Sequence, residues 1–134
     1  MNTTKIGDFV QANGLAMTAT RVGAAGGDWG RGATEWQVTL RAERNGATMI
    51  VPFHMGSAHT DAPDLATVLD CLALDSAGFE NATGFADWAD EYGFDSDSIK
   101  ALRTYEQVEE QAHSLRALLG QEAYDELLFC TERL

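Results

Sequence analysis

Basic residues are scarce in this chain, and its middle has none. Nine lysines and arginines face 21 aspartates and glutamates over 134 residues, a formal charge of −12. That deficit argues against a nucleic-acid binder that neutralises phosphates and against docking on an anionic membrane. Cysteine is nearly missing: Cys71 and Cys130 are too few for a disulfide scaffold and fit a reducing cytoplasm. No apolar run approaches the ~20 residues of a membrane span, and the first residues lack the basic and apolar regions of a secretory leader. The expected compartment is therefore the cytoplasm. No Gly-Lys-Ser/Thr phosphate loop and no Gly-x-Ser-x-Gly elbow occurs.

What remains is an ordinary globular balance, 45% apolar and 22% charged, in a length that suits one domain. Such a chain buries roughly two-thirds of its unfolded surface, enough for a core without metal or disulfide staples. Its charge is divided unevenly. Residues 1–62 hold five basic and five acidic side chains, whereas residues 63–134 hold four and sixteen. Between Arg44 and Lys100, a 55-residue interval carries ten carboxylates and no lysine or arginine.

Residues 1–60 read as mostly β and 61–134 as mostly α, within a single α+β domain. A short helix or extended arm near Ile6–Val10 precedes a weak strand over Leu15–Val22. Glu35–Ala42 alternates, with Trp36, Val38, Leu40 and Ala42 on one side, which predicts a half-buried strand. Asn45-Gly46 then signals a hairpin turn. Ala47–Met55 returns with Met49, Val51 and Phe53 on the matching face, and Pro52 places it at an edge. About four helices follow, expected to pack on one face of this three-stranded meander. The first starts at Asp61 and Pro63 and stops at Gly78; the second is capped by Thr83 and closed by Gly93. The third, capped by Asp95 or Ser96, runs through Ile99, Leu102, Tyr105, Val108, Ala112, Leu115 and Leu119 to Gly120. The last spans Glu122–Phe129.

No constellation spells out a reaction. His54, His59 and Asp61 form a loose metal-ligand set whose spacing matches no helical pair, so neither metal nor cofactor is expected. Asp95-Ser96-Asp97 echoes a calcium loop, but Lys100 stands where that loop requires glycine. Cys71 and Cys130 have no adjacent base and read as buried or bystander thiols. The glycine-rich stretch Gly23–Gly32 reads as a hairpin connection, and Trp29 and Arg31 within it are candidate partner contacts. The interval Phe79–Asp97 mixes Phe79, Phe85, Trp88, Tyr92 and Phe94 with carboxylates, a composition suited to a basic protein surface. The candidate partner-binding carboxylates are Asp64, Asp70, Asp75, Glu80, Asp87, Asp90, Glu91, Asp95 and Asp97.

Several segments arrive in a suggestive order: Trp36-Gln-Val-Thr-Leu40, Phe53-His-Met-Gly-Ser-Ala-His59, Val68-Leu-Asp-Cys-Leu72, Phe85-Ala-Asp-Trp-Ala-Asp-Glu-Tyr-Gly93, Asp95-Ser-Asp97 and Leu118-Leu-Gly120. Over about residues 36–130 the chain resembles a family of small acidic accessory proteins of tailed phages and prophages. The resemblance carries no catalytic residues. It implies an anti-defence protein of anti-CRISPR or antirestriction character, acting in the host-cell cytoplasm and presenting carboxylates in place of DNA phosphates. The expected function is therefore a non-enzymatic inhibitor whose acidic surface binds the basic surface of a host nuclease or defence complex, without contacting nucleic acid or membrane itself. The alternatives are a phage assembly accessory protein forming a homo-oligomer, a homodimer for example, and a small metal-dependent enzyme.

Overall fold

A computed structural model of the protein describes residues 3–25, 32–56 and 61–132. It is α+β, with a three-stranded antiparallel sheet and five helices. The order is α1 (Thr3–Asn13), β1 (Leu15–Ala24), β2 (Thr34–Ala42), β3 (Ala47–Met55), α2 (Leu65–Asn81), α3 (Phe85–Glu91), α4 (Ile99–Leu119) and α5 (Gln121–Glu132). Backbone contacts divide the chain into two compact units, Asn2–Leu69 and Asp70–Leu134, the boundary falling within α2.

In the N-terminal unit the strands lie in the order β1-β2-β3, so β3 with its Pro52 is an edge strand. The alternation of β2 decides the register. Val38 pairs with Val51 and Leu40 with Met49, all four buried, while Gln37 sits opposite Pro52 on the exposed side. β1 adds Leu15 and Met17 to the same rows, against Ala42 and Leu40. A register shift between Arg21 and Gly23 ends this regularity and leaves Val22 exposed. The β2–β3 turn takes four residues, Glu43–Gly46; Gly46 alone of them has positive φ (67°), and its N–H bonds the Ala42 carbonyl at 2.9 Å.

Of the two readings of the segment before β1, helix or extended arm, the helix holds, and it is longer than Ile6–Val10, with eleven residues. Its apolar Ile6 and Phe9, three apart, are both buried, and α1 packs against β1. The Asn13 amide donates to the Phe9 carbonyl at 2.9 Å, and Gly14, with φ 60°, turns the chain into the sheet.

Gly93 closes α3 and Gly120 ends α4 as the sequence pattern indicates, but the starts of α2, α3 and α4 and the end of α2 fall at other residues. Asp64, not Asp61 or Pro63, caps α2, its Oδ1 accepting from the Thr67 N–H at 2.7 Å. That bond holds the Asp64 carboxyl below its ordinary value. Gly78 does not stop α2, which continues to Asn81. Gly84, not Thr83, precedes α3; instead Asp87 in the first turn reaches back, its Oδ2 accepting from the Thr83 N–H at 3.0 Å. Ser98, not Asp95 or Ser96, caps α4, its hydroxyl accepting from the Ala101 N–H at 3.3 Å. Ile99 and Leu102 are exposed there, so the buried stripe of α4 runs through Ala101, Val108, Ala112, Leu115, Leu118 and Leu119. Within the C-terminal unit α3 and α5 both pack against α4.

Leu40 is 1% exposed in the central strand. Leu40→Ala is expected to cost about 2–5 kcal/mol, the lost transfer energy plus a residual cavity. Urea unfolding measures it, with exposed Thr48→Ala as a control expected to stay within about 0.5 kcal/mol.

Candidate functional site

The acidic and aromatic residues of Phe79–Asp97 are sorted by the structure rather than mixed. Trp88, 4% exposed, lies at the centre of a ring cluster. It stacks on Phe94 at 5.2 Å with 7° between planes, and meets Tyr105 edge-on at 5.3 Å. Phe79 and Phe85 flank Tyr105 at 5.6 and 5.4 Å. The chain reverses around this stack. Gly93, with φ 73°, follows α3; its N–H bonds the Asp90 carbonyl, and the Phe94 N–H bonds the Ala89 carbonyl at 2.8 Å. This paired closure brings Phe94 back over Trp88, six residues earlier.

Tyr92 is the exception in the cluster. Its ring approaches Trp88 to 5.6 Å, yet the residue is 51% exposed. Its hydroxyl end lies over Gly78, in the last turns of α2, where a Cβ would collide with it. The glycine is thus a seat for the tyrosine. Beside it α2 and α3 border a groove of about 600 Å³. Leu74, Ala77, Gly78, Ala82 and Tyr92 form its apolar lining, with Asn81, Asp87 and Glu91 as polar neighbours. Desolvation raises the Tyr92 hydroxyl above its ordinary value, and the charges of Glu91 and Asp75 push it further.

The candidate carboxylates occupy different situations. Asp75, Glu80, Asp87, Asp90, Glu91, Asp95 and Asp97 are exposed, and Asp70 is half-buried. Asp87 and Glu91, one turn apart on α3, border the groove; Asp90 does not. Asp95 accepts from the Asp97 N–H at 2.9 Å, a local turn ahead of α4 rather than a cation loop. Asp64 belongs to the other unit as the cap of α2. Glu80 already has an internal partner: its Oε1 accepts from the hydroxyl of Tyr124, 1% exposed, at 2.8 Å. Desolvation and that bond push the Tyr124 phenol far up, while a hydrogen bond to buried Ser76 and the charge of Arg116 act the other way. Trp29 and Arg31 lie outside the described residues.

Neither thiol nor imidazole chemistry is assembled among the described residues. Cys71 is exposed on α2, not buried. Partial desolvation and the charges of Asp75 and Asp70 nonetheless push its thiol up, away from a reactive thiolate. His54 Nε2 lies 3.3 Å from Glu35 Oε1 across β2 and β3. His59 and the side chain of Cys130 lie outside the described residues. Among the described residues no three His, Cys, Asp or Glu side chains gather around a point where a metal would sit, and no helix is long and apolar enough to cross a membrane.

The sequence pattern named Tyr92 only as one of five aromatics in Phe79–Asp97 and did not single out Leu74 at all. Leu74 lies off the Leu65, Val68, Leu69, Leu72 stripe of α2, and that displacement is the available signal. Comparison with protein-family models, curated proteins and solved structures finds no match to this chain.

Two outcomes test this geometry. Replacing a mid-helix glycine by alanine ordinarily gains about 0.5–1 kcal/mol. Gly78→Ala is expected to lose that gain by expelling Tyr92, and to recover it in a Tyr92→Ala background, as a double-mutant cycle in urea would measure. Asp75 has its carboxyl raised by desolvation although the residue as a whole is exposed. As pH rises past the ordinary value of 3.8, the unfolded chain releases this proton before the folded one does, so stability falls. Asp75→Asn is therefore expected to raise Tm at pH 7, with the gain fading below about pH 4 in thermal scans.

Proposed function

We propose that this protein is a non-enzymatic binding protein whose acidic C-terminal unit occupies the basic, nucleic-acid-handling surface of a partner. The partner class that fits is a nuclease or surveillance complex of a host defence system, as in anti-CRISPR or antirestriction inhibition by phage accessory proteins. The observation that carries this reading is the exposure of seven carboxylates between Asp75 and Asp97, in an interval free of lysine and arginine. A partner channel lined with Lys and Arg attracts such a surface over about 8 Å at physiological salt, and binding would exclude DNA or RNA from it. The likeness of several segments to phage accessory proteins supports the same context. An assembly role with self-association is the rival outcome.

The test reverses charge on α3. Asp87→Lys, Asp90→Lys and Glu91→Lys together are expected to slow association with the captured partner by about tenfold or more at low salt, with little further effect at high salt. Because Asp87 also holds the Thr83 N–H, the double variant Asp90→Lys, Glu91→Lys accompanies the triple one. Circular dichroism first establishes that both fold. Affinity capture from a lysate of nuclease-bearing bacteria, with mass spectrometry, supplies the partner, and DNA competition places the contact. Unchanged binding by folded variants at both salts would overturn mimicry, and a concentration-dependent oligomer insensitive to the reversals would favour assembly.

A further inference from the structure

We propose that the groove between α2 and α3 is an arginine-recognition site, with the ring of Tyr92 stacking a guanidinium and Asp87 and Glu91 pairing with it. The occupant is a short arginine-bearing segment of a protein. This rests on the reading that the acidic unit engages a basic protein surface, and it names the side chain that surface must supply.

Three features point the same way. Tyr92 has neighbours on two sides although half of it is exposed: Trp88 packs beside its ring, and its hydroxyl end rests over Gly78, in space a larger residue would fill. A surface aromatic already held in place loses little freedom on binding, and its face attracts a cation. The groove lining is apolar at Leu74, itself 49% exposed, and at Ala77, Gly78 and Ala82. An aliphatic stem covers such a floor while its charged head stays at the rim. At about 600 Å³ the groove has room for more than one side chain, which suits a segment rather than a free ion.

Charge complements shape. Both titratable groups bordering the groove besides Tyr92 are carboxylates, Asp87 and Glu91. Asp75 adds a third negative charge felt at the Tyr92 hydroxyl. A planar guanidinium can stack on a ring and pair with carboxylates through its fixed fork of donors at once. A lysine ammonium is a compact, strongly hydrated point charge without that plane. The arrangement therefore favours arginine over lysine, which a purely Coulombic acidic surface would not.

The probe is a capped tetra-arginine peptide, with tetra-lysine of equal charge as comparator, titrated into isotopically labelled full-length protein at low ionic strength. Backbone amide shifts are expected to saturate at Gly78, Asn81, Glu91 and Tyr92, with tetra-arginine binding about fivefold more tightly than tetra-lysine, the size of one exposed cation–π contact. Tyr92→Leu should erase the difference between peptides, and Tyr92→Phe should preserve it. Equal affinities, or arginine-induced shifts centred on Asp95 and Asp97, would overturn the groove assignment. That result leaves the broader acidic-surface reading standing, since both peptides would still bind and dissociate with salt. Failure of both peptides to bind would overturn both readings. Self-association through this groove would appear as the same shifts on raising protein concentration without peptide, and would likewise overturn the assignment.

Discussion

The burial of Trp88 is the constraint on which the acidic unit's surface depends. α3 is seven residues long, far below the length at which a helix persists by itself in water. What holds it is tertiary: Trp88 and Ala89 pack into the ring cluster with Tyr105 and Val108 of α4, and Phe94 closes over the indole. The Gly93 turn makes that closure geometrically accessible, because only a residue tolerant of φ 73° lets the chain fold back so tightly. Around Trp88, helical periodicity turns Asp90 to the opposite side and carries Asp87 and Glu91 to the flank, where they border the groove. Aromatic packing and acidic display are thus two faces of one short helix.

A surface this negative works against its own fold, since like charges gathered on a compact unit repel. Local bonding offsets part of that cost. Asp64 and Asp87 each accept a backbone N–H at a helix start, where a carboxylate also meets the positive end of the helix dipole. Glu80 accepts the hydroxyl of Tyr124, tying α2 to α5 while satisfying a buried donor that would otherwise go unpaired. Asp75 has the opposite character: partly desolvated, with its raised carboxyl disfavouring the charged form. It lies beside the groove's tyrosine rather than at a cap.

Strand pairing was legible because period-two alternation leaves little freedom. Val38, Leu40, Met49 and Val51 share one face only in registers of this parity, the short Glu43–Gly46 turn selects the one observed, and Pro52 suits an edge strand. Helix existence was legible from apolar spacing and two helix stops from Gly93 and Gly120, but helix starts were not, because several Asp, Ser and Thr residues compete at each. Asp61 and Asp64, or Ser96 and Ser98, are equivalent as residue types; the turn geometry of the preceding chain selects between them. Gly78 misleads for a different reason. Read along the sequence it is a helix stop, but its role is set by Tyr92, fourteen positions further on, which needs the space a side chain would fill. The acidic candidates were visible from charge alone and Tyr92 from the aromatic composition of Phe79–Asp97, whereas Leu74 and the separation of Tyr92 from the buried rings emerge only when α2 and α3 are side by side.

Charge and shape make different demands on a partner, and the acidic unit carries both. Exposed carboxylates on mobile stems attract any basic surface and are screened by salt, so by themselves they steer encounter more than they select among partners. Selection needs groups whose positions are set before binding. Among the described residues the α2–α3 groove supplies them: a tyrosine seated on a glycine, an apolar floor, and a rim carboxylate, Asp87, already held by a backbone bond. In the proposed complex, the diffuse field of the interval and the geometry of the groove would act in sequence, the first raising the rate of approach and the second determining which basic side chain is retained. Because the ring cluster positions both, a loosened Trp88 core would cost discrimination before it cost attraction, since the carboxylates keep their charge when their geometry is lost.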